Sequence, residues 1–551
     1  MQKLISYLCF ISLIFSFVLA SAQNNHIVVY EQYENNKLIA DKLIKVTADK
    51  NYALISYPNS TEKIIIDYKK KQTIKTAKIK DKKYAVHNNF SSLSQAVISN
   101  QKDSILGFEC TKAVYNVFSN NFDVWFTQKA GFKASSSISF CPPEALVLKV
   151  VINGNRSFIA KSISKTDEEI QLPDTDYENL NDAQFTAMQI AARYIRIPVF
   201  DKEVINYENN IENIDEEKTG ITYRYSKGNI ILKKIKLPDT KNQGRFFIEL
   251  SDWSNGDAYD RVGSVFTLSA KNQHAMLNAF KNGPETLPVF KDKSENKYQG
   301  VYATENYSPV TELMRFYTPF GVGHYNNKRI IDGYQWSDSA IYKQDVTDLI
   351  PTDANEVWIG VYIGNYDKGG HKVSLRLNYY PDEESNPEKK WISSLFSTVN
   401  IMEAAGQNYG RLFEQDTLRM SFEIPDSVSE IQLLFTTTGH GGWENGDEFV
   451  QKNNQVKIDG KTVFDLTPWR SDCGTYRLIN PASGNFPDGL SSSDYSRSNW
   501  CPGTLTPPFV IPLKNISTGK HQIEVIIDQG KPEGGSFSHW CVNGILTGKI
   551  K

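Results

Sequence analysis

A chain of 551 residues, 40% hydrophobic and 12% aromatic, carries enough apolar mass for about three to four packed domains of roughly 100–200 residues, which excludes a wholly disordered protein. Its 61 Lys+Arg and 63 Asp+Glu leave a formal net charge of −2, so no global field recruits nucleic acid or an anionic membrane surface.

The first 22 residues read as a secretory signal. Lys3 is the positive n-region, 4–19 is an apolar run, and Ala20-Ser21-Ala22 is a small-residue cleavage site before Gln23. No later stretch is long and apolar enough to span a bilayer. The expectation is an exported protein, periplasmic or secreted. From Gln23 onward, β-branched residues alternating with polar ones over 27–30, 63–68, 372–377 and 522–527 predict strands. Helical periodicity is confined to 183–195 and 273–281. The class is mainly β.

Three β blocks follow the signal. Residues 23–165 form a lysine-rich N-terminal domain, and the polar, acidic stretch from Asp167 to Asp182 marks a linker with a short helix over 166–199. Residues 200–381 and 385–551 each have the length and strand content of an eight-stranded antiparallel jelly roll. The lysines from Lys69 to Lys83 have no interleaved aromatic platforms, so they read as a solvated or edge-protecting face rather than a nucleic-acid site.

Cys9 leaves with the signal, and export permits disulfides among the other five cysteines. The economical pairing joins Cys110 to Cys141 and Cys473 to Cys501, with Cys541 left as a buried thiol. No zinc spacing is present.

Three segments carry chemistry. Ser251-Asp252-Trp253-Ser254-Asn255-Gly256 is a polar turn leading through Asp257, Ala258 and Tyr259 to Asp260 and Arg261 at a strand start. Such an aspartate often only accepts backbone N–H bonds. The loop 436–449 places His440, Trp443, Glu444, Asp447 and Glu448 among glycines. Its oxygen-rich character would also suit calcium, though no metal is assigned. The loop 496–503 brings Arg497, Trp500 and Cys501 together. Indoles beside carboxylates and a guanidinium suit a saccharide, and a Cys473–Cys501 bridge would clamp the loop. Nothing matches a nucleophile elbow.

These residues resemble the peptide:N-glycosidase F family of bacterial amidases. A family Glu-Trp-Asp-Arg before a strand is similar to Ala258-Tyr259-Asp260-Arg261. An Arg-Phe-x-Thr-Pro-x-x-Val-Gly segment is matched from Arg315 to Gly323, and Asp-Val-Thr-Asp from Asp345 to Asp348. The family's Gly-His and later Glu resemble Gly439-His440 and Glu448, and Arg-x-x-Trp-Cys-Pro-Gly is matched from Arg497 to Gly503. The matches run in one order over about 200–551.

The resemblance implies two adjacent jelly rolls preceded by the separate bowl-like N-terminal domain of the longer, type II branch. It implies an amidase that releases intact N-glycans, converting Asn to Asp, with no cofactor. Its partners would be N-glycosylated proteins or peptides, recognised through the chitobiose core, and a monomer is expected. Asp260 and Glu448 then take the catalytic positions. Arg497, Arg261, Tyr259, His440, Trp443, Trp500 and Trp253 become substrate contacts, and Cys473–Cys501 corresponds to a family disulfide. Where the family has a third acidic residue, this chain has Tyr362, and Thr438 replaces a tryptophan before Gly-His. A non-catalytic glycan-binding protein and a two-carboxylate glycosidase are the competing readings.

Overall fold

The computed structural model describes residues 25–551 except 41, 58–59, 61, 80, 209–216, 239–243, 270, 352–353, 383–388, 442–445 and 532–537. The expected signal segment and Trp443 lie outside the described residues. The chain divides into two compact units, Met1–Ala192 and Arg193–Lys551.

The first unit is built on a 13-stranded sheet in which chain neighbours mostly pair as antiparallel neighbours. Alternating side chains from Val28, Tyr30, Val46, Ile55, Ile64, Ile66, Leu146 and Leu148 form its main core. Much of the expected linker belongs to this unit. Tyr177–Asn179 adds to the sheet as a parallel strand beside Lys82–Asn89. The α-helix Asp182–Ala192 follows and buries Phe185. Its start is a reciprocal cap: Gln184 N donates to Asn181 Oδ1 at 2.8 Å, and Asn181 N donates to Gln184 Oε1 at 3.1 Å.

The expected Cys110–Cys141 bridge is absent, a correction to the sequence reading. Both cysteines are buried free thiols. Each turns to its own local backbone, Cys141 Sγ donating to Ile138 O at 2.8 Å and Cys110 Sγ to Phe108 O at 3.5 Å. Sequence economy carries no information on where two Cβ vectors point, and a bridge needs that geometry.

The second unit holds the two jelly rolls. The first roll packs a four-stranded sheet, ordered Ile195–Ile205, His371–Pro381, Gly244–Ser254, Ala340–Asp345, on a six-stranded one. The second sheet runs Thr222–Tyr225, Ile230–Lys236, Glu356–Ile363, Val262–Thr267, Thr311–Tyr317, Leu505–Thr506. Its last strand is lent by the C-terminal half, pairing Arg315 with Thr506 and Phe316 with Leu505. The roll therefore starts at Ile195, inside the stretch read as linker. The second roll has two four-stranded sheets, eight strands in all.

The rolls share apolar core. Leu434 and Ile545 of the second pack with Phe246, Ile248 and Leu375 of the first, and Val399, Ile401 and Met402 pack with Tyr362 and Trp358. The period-two pattern also explains how polar residues reach this seam. Along Gly244–Ser254 the inward face reads Phe246, Ile248, Leu250 and then Asp252 and Ser254, so the core face turns polar at one end. Along Val428–His440 the buried run turns polar at Thr436, Thr437 and Thr438 and closes at Gly439.

Candidate active site

The turn that ends in Asp260 is held from below by a chain of buried charges. Asp257 accepts from Arg261 Nε at 2.7 Å and Nη2 at 3.2 Å, and from Tyr259 N at 3.1 Å. His371 Nε2 lies 3.7 Å from Asp257 Oδ2, and its Nδ1 lies 3.1 Å from Asp252 Oδ1. Burial opposes the charge on His371, but the two aspartates outweigh it and raise the imidazole to about 9. Burial likewise opposes the charge on Asp257, yet hydrogen bonds from His371 and Arg261 hold it down to about 2. Arg261 N donates to Thr318 Oγ1 at 2.8 Å, so the backbone carrying Asp260 is also pinned by the residue that follows strand Thr311–Tyr317.

Asp260 turns the other way, across the seam. Its Oδ2 lies 3.4 Å from Arg497 Nη2. Arg497 Nε donates to Glu448 Oε1 at 3.0 Å, and Nη1 to Tyr495 O at 3.1 Å. The guanidinium lies between two rings, 5.0 Å from the Phe449 centroid and 4.8 Å from that of Trp500. It is 1% exposed, whereas the Asp260 and Glu448 side chains remain 16% and 19% exposed. Two carboxylates thus reach the surface from either side of one buried cation.

One cation cannot neutralise two carboxylates in a poorly solvated place. Burial raises Asp260 to about 7; Arg497 pulls it down, and the Glu448 charge pushes it up again. Glu448 is also raised, by burial against the pull of Arg497. A carboxylate near neutrality is what a general base requires.

The loops are locked around this group. Cys473 and Cys501 form a disulfide, as expected, and Arg470 and Arg497 exchange backbone hydrogen bonds at 2.8 and 3.0 Å. Gly439 lies so close to its surroundings that a Cβ there would meet Asp447 O at 2.8 Å and Trp540 at 2.9 Å. Asp447 is not available for calcium: its carboxylate accepts from Trp540 Nε1 at 2.6 Å and from Gly530 N at 3.0 Å. Among the described residues no group of three or more His, Cys, Asp or Glu is arranged to hold a metal ion.

Several expected substrate contacts have other duties. Trp500 is 3% exposed, with one neighbour in Arg497 and another in Tyr317, whose ring stacks on it at 4.3 Å; its Nε1 donates to Gly439 O at 3.0 Å. It supports the guanidinium and offers no face to a sugar. Arg261 is engaged by Asp257. Trp253 points away from the buried face of its strand, with Lys202 Nζ 6.0 Å from its ring, and makes no hydrogen bond or ring contact with Asp260, Glu448 or Arg497. Tyr259, which precedes Asp260 and is 63% exposed, and the half-buried His440, whose ring lies 5.2 Å from that of Trp500, keep accessible surface. Tyr362, where a carboxylate was missing, is wholly buried.

Residues passed over in the sequence include Asp257, Asp252 and His371. Asp257 stands in the same turn as Asp260, and its spacing to Arg261 was the available signal. His371 had none, because it arrives from more than a hundred residues away.

Three family models match the chain in succession. They are the N-terminal domain of N-glycanase peptide over 19–188, the N-terminal part of peptide-N-glycosidase F over 196–379, and its C-terminal part over 408–547. A crystal structure of PNGF-II in space group P21 is 37% identical, covers 96% of this chain and 100% of its own, and superposes with a TM-score of 0.85. The chain belongs to the peptide-N-glycosidase F family. A second PNGF-II structure, in space group C2, gives 38% identity, 96% and 98% coverage and a TM-score of 0.77. PNGase F, a glycosylasparaginase from Flavobacterium meningosepticum, is 14% identical over 65% of this chain and 96% of its own, with a TM-score of 0.43. No curated protein matches the sequence. In this peptide-N-glycosidase F family member, Asp260 lies within the matched N-terminal part and Glu448 and Arg497 within the matched C-terminal part.

Proposed function

We propose that this protein hydrolyses the amide bond between asparagine and the first N-acetylglucosamine of an N-linked glycan, releasing the intact glycan and leaving aspartate. The observation that carries the reading is the pair of mostly buried carboxylates that still reach the surface on one buried guanidinium, with Asp260 raised to about 7. Family membership and the likeness to PNGF-II support it.

In this mechanism Asp260 takes a proton from water as the water oxygen attacks the side-chain carbonyl carbon. The C–N bond breaks, its electron pair goes to nitrogen, and the proton follows. The products are aspartate and a glycosylamine, which water later converts to the reducing sugar and ammonia. Arg497 acts from behind, orienting both carboxylates. Glu448 keeps Asp260 basic and accepts hydrogen bonds from the sugar. Tyr259 and His440 line the accessible side.

A general base contributes about 10²–10⁴-fold, so Asp260→Asn lowers the rate by at least that factor. The test is incubation with a denatured N-glycoprotein, followed by peptide mass. Conversion of Asn to Asp by the native enzyme and its loss in Asp260→Asn support the reading; a peptide that keeps one GlcNAc identifies an endoglycosidase instead. Tyr362 in place of a third carboxylate favours one alternative, a glycan-binding protein without turnover, for which the glycopeptide would stay intact.

A further inference from the structure

A second buried network crosses the seam behind His440. Glu312 and Arg315 form a two-pronged ion pair, Arg315 Nε donating to Glu312 Oε1 at 2.9 Å and Nη2 to Oε2 at 2.7 Å. Three residues apart on a regular strand they would face opposite ways. The pairing shifts here, Met314 opposing Val265 and Glu312 opposing Phe266, so Leu313 is an extra residue that returns both side chains to one face. Ser264 Oγ donates to Glu312 at 2.9 Å. Arg315 Nη1 reaches into the second roll and donates to Cys541 O at 2.7 Å and Thr438 Oγ1 at 3.2 Å.

Thr438 Oγ1 is one corner of a triangle. Tyr317 Oη lies 2.7 Å from it, and His440 Nε2 lies 2.9 Å from Thr438 Oγ1 and 3.1 Å from Tyr317 Oη. Arginine donates only, so Thr438 Oγ1 accepts from Arg315. Two hydroxyl hydrogens remain to be placed on three edges. If Nε2 accepts, both find partners, as Tyr317 to Thr438 to His440 or as Thr438 to Tyr317 to His440. If Nε2 carries a proton, a buried hydroxyl hydrogen is left without an acceptor in the triangle.

We infer that the Glu312–Arg315 pair, through Thr438 and Tyr317, fixes His440 as a neutral imidazole with its proton on Nδ1, making it a positioned hydrogen-bond donor for a carbonyl oxygen of the substrate. The inference rests on the amidase reading, and it deepens it: an acceptor-only group such as an acetamido or scissile amide oxygen suits a fixed N–H. The groups facing the ring are Arg315, Tyr317, Thr438, Trp500, His539 and Cys541. Burial lowers its pKa, and Arg315 and His539 add to that, against Cys541, so the ring stays uncharged at neutral pH. His440 is a catalytic candidate, and Glu312, Arg315, Tyr317 and Thr438 are positioning residues.

The test uses full-length protein with 15N-labelled histidine, read by long-range 15N–1H correlation, with His440→Gln to assign the signal. A neutral Nδ1–H tautomer near pH 7 is expected, together with its loss or mixing in the double variant Thr438→Val/Tyr317→Phe, which removes both hydroxyls from Nε2. Thr438→Val should lower kcat roughly tenfold, about the worth of one hydrogen bond, with little change in KM and a shifted acid limb. An Nε2–H tautomer or an imidazolium in the native protein overturns the inference. So does a Thr438→Val/Tyr317→Phe protein, folded by its Tm, whose tautomer and pH profile are unchanged. The tautomer is read without turnover, so failure of the amidase reading shows separately, as an inactive native protein.

Discussion

Asp257 and Asp260 stand in one turn, three residues apart, and their acidities move in opposite directions. Asp257 is held at about 2 and Asp260 is raised to about 7. Both are poorly solvated, so burial alone does not separate them. The difference is the count of opposite charges. Asp257 and Asp252 have two cations between them, Arg261 and the protonated His371, whereas Asp260 and Glu448 are paired to Arg497 alone. The first arrangement makes a fixed support, and the second leaves a carboxylate able to exchange a proton at neutral pH.

The contrast breaks most sharply on stability. Asp257→Ala takes the ion-pair partner from Arg261 and leaves the buried His371 with Asp252 alone, and should cost about 3 kcal/mol in denaturant unfolding. Next comes the alkaline limb. His371 is raised, so the stability it contributes is complete below its unfolded value of 6.5 and disappears as pH rises through about 9. That loss amounts to up to about 3 kcal/mol, and His371→Gln should flatten the curve between those values. Asp257 is depressed, so its contribution is present above 3.8 and is lost as pH falls towards about 2.

Asp260 carries the opposite sign. Its raised pKa means that ionisation strains the fold as pH rises from about 4 to 7. Asp260→Asn should therefore raise stability at neutral pH by about 1 kcal/mol while abolishing turnover, the reverse of Asp257→Ala. The smallest effect belongs to Glu448→Gln. Removing the neighbouring negative charge lets Asp260 fall towards its ordinary range, so the acid limb of kcat/KM should move to lower pH by about one unit. An unmoved limb would separate Glu448 from Asp260 and leave burial, opposed by Arg497, to set its pKa.

Much of the strand content was legible because period-two patterning is local: each half-buried strand carries its own record of which side faces the core. The helix over 273–281 was legible for the same reason and is observed as Gln273–Asn282. The candidate site was legible in outline, since Asp260, Glu448 and Arg497 stand in segments that resemble a family. Their neighbours were harder. Trp500 looks like a sugar platform in sequence, and only packing shows that Arg497 and Tyr317 flank it. Cys110 and Cys141 look like a pair until their side chains are seen to turn to separate carbonyls.

Sequence alone determined the β class, the family resemblance and the aspartate that faces the second roll, because each is recorded in residue types at short spacing, and the resemblance implied the Cys473–Cys501 clamp. Tertiary structure decided which aspartate is basic, which tryptophan is covered and which way His440 holds its proton. These depend on charges and hydroxyls brought together across hundreds of residues, from Asp252 to His371 and from Glu312 to Cys541. A one-residue bulge at Leu313 is enough to place an ion pair on the face where the histidine needs it.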